Sequence, residues 1–137
     1  MSITQRDWGG WKVLDHQPDK NFKIKQLIIE PGKSLSNQRH FKRSETWIIL
    51  EGVVKMETRW KNLDDIIHLH PRSLPYEIKK KVWHKASNPG TSTAYVLEIQ
   101  RGSECIEEDI ERSDRTLEEG KEYSMNDPIW DKRWTSC

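Results

Sequence analysis

Four residues of this sequence have the side-chain types and the spacing of a metal site. Gln38 and His40 are two residues apart, and alternate side chains of a β-strand share one face. Glu45 follows after a charged and polar segment that can turn the chain back to the same side. His84 lies on a later predicted strand, which the closure of a barrel would bring over the other three. A mixed set of nitrogen and oxygen donors predicts one divalent ion at these four residues, with Zn(II) favoured and Mn, Fe or Ni left open.

The remaining histidines and the cysteines give weaker signals. His68 and His70 are also two residues apart, but no carboxylate follows them at a fitting distance, so exposed strand histidines are favoured over an adventitious metal site. His16 is interpreted as a solvated loop residue. Cys105 and Cys137 form no disulfide framework and have no histidine neighbour for nucleophilic chemistry, which fits a reducing compartment.

Short apolar runs separated by turn residues must position these side chains. They predict strands at 22–29, 46–50, 54–58, 66–69, 74–78, 82–86 and 94–100, and Pro31-Gly32 and Asn88-Pro89-Gly90 are among the turn signals between them. No segment before residue 103 has a sustained 3.6-residue apolar period. Many short strands without helices indicate an all-β sandwich or barrel.

Length, charge and hydropathy exclude several classes of protein. The 137 residues fit one domain, and the net charge of +1 gives no field that would attract nucleic acid or an anionic membrane. No apolar stretch is long enough for a signal segment or a bilayer span. We therefore expect a soluble, cytoplasmic protein with a small-molecule partner and no nucleic-acid or membrane partner.

The metal-site residues and their neighbours resemble the two motifs of the cupin family. The matching words are Arg6-x-Trp8-Gly9, Pro31-Gly32, Leu35-Ser36-x-Gln38-x-His40, Arg43-x-Glu45-x-Trp47, His84, Asn88-Pro89-Gly90 and Glu98-Ile99-Gln100-x-Gly102. They are similar to the type II mannose-6-phosphate isomerase branch, which is found alone or fused to a mannose-1-phosphate guanylyltransferase domain. In that branch Gln replaces the first histidine of the general cupin motif, as Gln38 does here.

The resemblance covers about residues 6 to 112 and implies a cupin double-stranded β-helix, a jelly-roll barrel. We expect the cupin domain at 1–112 and a C-terminal arm at 113–137 that is partly helical or disordered. The sequence departs from the family near the site. Phe41, Lys42 and Thr46 stand where the family continues its histidines, and the lysine triplet 79–81 replaces Pro-x-Gly before the strand of His84. The metal donors are kept while the residues around them are changed.

The resemblance implies a metal-dependent isomerase that interconverts mannose 6-phosphate and fructose 6-phosphate through an enediol. We expect Arg43, Lys85 and one or more of lysines 79–81 to contact the substrate phosphate, and we leave the base unassigned. A solvated Lys42 is favoured over a proton carrier. Two alternatives stay open: a non-catalytic cupin that binds a sugar or sugar nucleotide, and a metal-dependent cupin of other chemistry, such as a dioxygenase.

Aromatic and apolar residues lead to two more expectations. Trp8, Trp11, Trp47 and Trp83 could line a sugar-stacking pocket, although core or interface positions are favoured for large aromatics. The run 47–50 is apolar on both faces of its strand, so something beyond the barrel interior must cover one of them. This predicts a sheet-to-sheet homodimer.

Overall fold

The computed structural model describes residues 2–113, which form two antiparallel sheets and no α-helix. The elements are β1 (Thr4–Arg6), β2 (Gly9–Gln17), one 3-10 turn (Pro18–Lys20), β3 (Phe22–Ile29), β4 (Asn37–Arg39), β5 (Arg43–Glu51), β6 (Val54–Trp60), β7 (Leu63–Leu69), β8 (Tyr76–Ile78), β9 (Trp83–Ser87), β10 (Ala94–Gly102) and β11 (Glu111–Ser113). Within these residues no helix has the length and apolar character needed to cross a membrane.

The two sheets face each other as a flattened barrel. Sheet A has the strand order β1-β2-β3-β10-β5-β8, and sheet B has the order β11-β4-β9-β6-β7. Most neighbours within a sheet are distant in sequence, so the chain passes repeatedly from one sheet to the other, as in a jelly roll. The all-β prediction is confirmed. Strands β1, β2, β4 and β11 were not predicted; β1, β4 and β11 are three residues each and carry too few apolar residues to show a pattern.

The inner face of sheet A changes from apolar to polar along its strands. Leu27 of β3 lies opposite Val96 of β10, which lies opposite Ile49 of β5, and all three are buried. Two rows further along, Gln100 pairs with Lys23 on one side and Glu45 on the other, and these are buried as well. One end of the barrel therefore holds the hydrophobic core, and the other end holds buried polar and charged groups.

Gly9 allows β2 to pack closely against β3 at the start of the sheet. Its φ of +138° is in the region that favours glycine, and a Cβ at this position would collide with the carbonyl oxygen of Ile28. Trp8, the residue before it, lines a pocket, and its carbonyl accepts a hydrogen bond of 2.9 Å from the amide of Glu30, the residue that follows β3.

The domain boundary predicted at residue 112 lies inside β11, whose last residue is Ser113. The predicted arm, apart from Ser113, lies outside the described residues.

Candidate metal centre

Three of the four predicted metal ligands meet at the polar end of the barrel. His40 directly follows β4, Glu45 is on β5 and His84 is on β9, so both sheets contribute. The donor atoms of the three side chains lie within 4.8 Å of one another, and all three residues are buried. Nε2 of His40 is 3.0 Å from one Glu45 oxygen, and Nε2 of His84 is 3.7 Å from the other. This arrangement of two imidazoles and one carboxylate can hold a metal ion.

The outer nitrogens of the two histidines are held by the backbone. Nδ1 of His40 is 2.7 Å from the carbonyl oxygen of Asp109, and Nδ1 of His84 is 3.0 Å from that of Val82. Because a carbonyl oxygen only accepts, Nδ1 is the donor in each ring. This orientation directs both Nε2 atoms toward Glu45, as backbone partners do for metal-ligating histidines.

Asp109 is a supporting residue that sequence reasoning missed. Its two carboxylate oxygens accept hydrogen bonds of 2.9 and 2.8 Å from the backbone amides of Phe41 and Lys42, directly after His40. Asp109 therefore fixes the segment in two ways: its carbonyl holds the His40 ring, and its carboxylate holds the backbone that follows His40. No sequence signal marked it, because it lies 69 residues from His40 in an acidic stretch without periodicity.

The electrostatics of the cluster favour the forms that bind a cation. Burial alone would raise the pKa of Glu45, but His40, Arg43 and His84 outweigh it and hold the pKa well below the ordinary value. Burial lowers the pKa of His84 to about 4, against the attraction of Glu45. At neutral pH the cluster thus has an ionised carboxylate and a neutral His84 imidazole, which are the ligand forms.

Gln38 lies beside the cluster. It is directly opposite His84 in the pairing of β4 with β9, and residues paired in this way share a face of the sheet. It is half-buried, and its Nε2 donates to the carbonyl of Ser36 at 3.4 Å. Its position is compatible with the fourth ligand place that the sequence predicts.

Arg43 is buried against Glu45. Its Nε and Nη2 atoms are 3.1 and 3.0 Å from one Glu45 oxygen, and its Nη1 donates to the carbonyl of Ile106 at 2.9 Å. Burial would lower its pKa, but Glu45, Glu98 and Glu107 outweigh that effect and raise it. The structure thus places Arg43 at the centre, where it balances the charge of the carboxylate.

The structure does not bring the predicted lysines to the cluster. Lys85 follows His84 on the same strand and so lies on the opposite face, across from Glu57. Lys79 and Lys80 are exposed. Lys81 is buried with a φ of +71°, which the Gly of the family motif would adopt more easily, and its amide donates to the His40 carbonyl at 2.7 Å.

The other candidates lie elsewhere. Lys42 is exposed and forms an ion pair of 3.2 Å with Glu104, as the solvated interpretation expects. His16 and His68 are exposed on β2 and β7, and neither belongs to a group of metal donors within residues 2–113. Cys105 is buried, and its Sγ is 3.6 Å from the carbonyl oxygen of Asn21.

A pocket of about 370 Å³ is lined by Gln38 and Arg43, which are neighbours of the cluster, and in this way adjoins it, although none of the three donor residues lines the pocket. Its charged lining residues are Arg6, Asp7, Lys25, Arg43, Glu98, Glu107 and Arg112, and its aromatic ones are Trp8 and Trp11. Trp47 and Trp83 are instead almost fully buried: Trp47 belongs to the hydrophobic core, whereas Trp83 lies on the face of β9 opposite His84, 4.7 Å from the guanidinium carbon of Arg39.

Two of the acidic lining residues are held by their neighbours. Nζ of Lys25 is 2.6 Å from Glu107 and 3.7 Å from the ring centre of Trp11. Burial, helped by the charge of Glu45, raises the pKa of Glu98 to about 7. Glu98 accepts a hydrogen bond of 2.6 Å from Gln100. The pocket thus has a carboxyl group near its own midpoint of titration at neutral pH, which sequence reasoning did not assign to the site.

The jelly roll and the buried His-Glu-His cluster define a cupin domain with a candidate metal centre. Residues 2–115 match the family model described as "Mannose-6-phosphate isomerase C-terminal", and the chain belongs to this family. The predicted family resemblance is confirmed.

Known relatives match over most of this chain. It is 34% identical over 107 residues to the mannose-1-phosphate guanylyltransferase of Sinorhizobium fredii. The aligned residues cover 78% of this chain and 20% of that protein. It is 33% identical over 111 residues to the xanthan biosynthesis protein XanB of Xanthomonas campestris, covering 81% and 22%. The alginate biosynthesis protein AlgA of Pseudomonas putida is 32% identical over 107 residues, covering 78% and 21%. The chain thus spans about a fifth of the length of these relatives.

Solved structures agree on the fold. The capsular polysaccharide assembling protein CapF of Staphylococcus aureus superposes with a TM-score of 0.71 at 18% identity, over 83% of this chain and 34% of that chain. A recombinant oxalate oxidase in complex with glycolate has a TM-score of 0.60 at 14% identity, over 67% and 46%. At these identities the likeness shows the fold alone.

The predicted activity is wrong as stated. The relatives are named as a guanylyltransferase and as polysaccharide biosynthesis proteins, and this chain corresponds to a small part of each, not to a free-standing isomerase of mannose 6-phosphate. The coarser prediction of a relation to enzymes of sugar metabolism is supported.

Proposed function

We propose that this chain is a metal-binding cupin domain that holds a phosphorylated sugar beside a divalent ion. The observation that carries the proposal is the buried cluster of His40, Glu45 and His84, with donor atoms within 4.8 Å of one another. Burying three such groups together is costly unless a cation or a proton is shared among them. The cluster also adjoins a pocket large enough for a small ligand.

Zn(II) is the first choice for the ion. Two imidazole nitrogens, one carboxylate and the neighbouring amide of Gln38 make a four-donor set of the kind Zn(II) takes, and Mn, Fe and Ni bind similar sets. When bound, the ion would supply Lewis acidity to an oxygen of the ligand. The residues of the chain orient the two histidines, neutralise Glu45 through Arg43 and keep the cluster away from water.

The pocket lining favours a sugar with an anionic group. Trp8 and Trp11 supply aromatic surface for the apolar side of a sugar ring, although Lys25 covers one face of Trp11, and arginine and lysine side chains line the same pocket. The names of the relatives place them in mannose phosphate and polysaccharide metabolism, which supports the same class of ligand.

Metal content of the purified protein tests the site. We expect about one equivalent of metal by mass spectrometry in the wild type after reconstitution with zinc, and less than a tenth of that in His84→Ala, because the remaining donors cannot complete the coordination. His68→Ala removes an exposed histidine and should keep the full metal content. Circular dichroism would establish that both variants are folded.

Binding of mannose 6-phosphate to the zinc-loaded and metal-free protein tests the ligand. We expect removal of the ion to weaken binding at least about tenfold, since a direct ligand–metal contact contributes more than 1.4 kcal/mol. A wild type that takes up no metal would refute the site. Equal binding with and without the ion would refute the role of the metal in holding the sugar.

A further inference from the structure

Two arginines face the pocket from the edges of the two sheets. Arg6 ends β1, the outermost strand of sheet A, and Arg112 is in the middle of β11, the outermost strand of sheet B. Both line the pocket beside the metal cluster, and both are exposed. They therefore line the same pocket from different sheets.

The charges of the other cations in the pocket are already balanced. Lys25 is paired with Glu107 at 2.6 Å, and Arg43 is paired with Glu45 at 3.0 Å. Neither Arg6 nor Arg112 forms an ion pair with any residue between 2 and 113, although Arg6 donates to the carbonyl of Gln5 at 2.8 Å. The two arginines are thus the cations of the pocket that remain available to an anion.

The register of sheet B places Arg112 in line with the metal site. Arg112 is opposite Gln38 in β4, and Gln38 is opposite His84 in β9. Two strand spacings therefore separate the backbones of Arg112 and His84, roughly 10 Å. A phosphate bound near Arg112 would lie at one end of a small sugar whose other end reaches the cluster.

We propose that Arg6 and Arg112 form a two-sided clamp for the phosphate group of a phosphorylated sugar. Arginine suits this task because its planar guanidinium donates two parallel hydrogen bonds to phosphate oxygens. Asp7, which also lines the pocket, is the acidic neighbour that offsets part of this charge. That the phosphate belongs to a sugar rests on the proposed function. The phosphate contact itself depends only on the two arginines.

Binding measurements on Arg6→Gln and Arg112→Gln test the clamp in the zinc-loaded protein. We expect each change to weaken mannose 6-phosphate about tenfold, the equivalent of one charge-assisted hydrogen-bond pair, and to leave weaker binding of unphosphorylated mannose unchanged. Arg101→Gln is the matched control, because Arg101 is exposed on β10 next to the inward-facing Gln100 and so lies on the outer face. Metal content should equal that of the wild type in all three variants.

Inorganic phosphate, measured on metal-free protein, separates the clamp from the sugar site. If the wild type binds phosphate and both variants bind it about tenfold more weakly, the clamp is supported. If, in addition, mannose 6-phosphate binds no better than phosphate, only the assignment of a sugar as the ligand is refuted. Unchanged affinity for mannose 6-phosphate in both variants, with metal intact, overturns the clamp and leaves the proposed function standing. A wild type that binds neither compound overturns both.

Discussion

At the scale of single residues, three of the four candidate metal donors were predictable because their spacing is local. Gln38 and His40 precede Glu45 within eight positions, and strand alternation is enough to put such residues together. Asp109, Glu98 and Arg112 were not predicted as site residues, because they reach the site through pairings between distant parts of the chain. Lys85 was predicted as a site residue because it follows His84 in sequence. Strand alternation instead directs its side chain to the opposite face of β9.

Glu98 should make the stability of the metal-free protein depend on pH. Its folded-state pKa is raised to about 7, so between about pH 4.5 and 7 the folded protein holds a proton that the unfolded chain releases. Stability contributed by this group is therefore present below that window and is lost as the pH rises through it. We expect Glu98→Gln to gain on the order of 2–3 kcal/mol over the wild type at pH 8 and little at pH 4.5.

Urea unfolding of both proteins across this range measures the difference. The lowered pKa values of Glu45 and His84 give the opposite pH trend, and because both proteins contain these residues, the part of that trend that does not involve Glu98 drops out of the difference. Glu77→Gln, at an exposed carboxylate of β8, is the control. A difference for Glu98→Gln that does not change with pH would show that the buried carboxyl is ionised at neutral pH without cost.

At the scale of elements, the seven apolar runs predicted the strands that build the core, since each carries enough alternation to be recognised. The three-residue strands β1, β4 and β11 depend on partners elsewhere in the chain and have no pattern of their own. These short strands hold Arg6, Gln38 and Arg112, so the least predictable elements position much of the pocket lining.

The start of β2 should tolerate a small side chain poorly. Gly9→Ala should cost about 2–4 kcal/mol, because the added methyl group meets the rigid carbonyl of Ile28 in addition to the unfavourable φ. Gly32→Ala separates the two effects, since Gly32 has a φ of +74° and no atom within 4 Å of a built Cβ, and should cost only about 1 kcal/mol. Thermal unfolding of both variants gives the comparison, and equal costs would show that the backbone at Gly9 moves away without strain.

At the scale of the whole molecule, the outer face of sheet A is apolar. Ile99 of β10 lies opposite Ile24 of β3, and Leu97 lies opposite Ile48 of β5. These side chains are half-buried in the single chain. They form an apolar face of the kind that a second subunit would cover in the predicted homodimer.

We expect the protein to be a dimer in solution through this face. Leu97→Lys and Ile48→Lys should each shift light scattering from dimer to monomer, because a charge in the centre of a sheet-to-sheet contact cannot be solvated there. Leu63→Lys, at a residue 75% exposed on the edge strand β7, is the control and should remain dimeric. A monomeric wild type would contradict the prediction.

Because the barrel has an apolar end and a polar end, the residues that stabilise the fold are separate from the residues that line the candidate site. Leu27, Val96 and Ile49 supply packing at one end that does not depend on which side chains occupy the other end. Lys81, a buried side chain at a φ of +71° where the family motif has Gly, is a change at the polar end that leaves this packing in place. A barrel with this polarity can gain, lose or change its ligand without a change in its hydrophobic core. The ligand specificity of the polar end can therefore change during evolution largely independently of the fold.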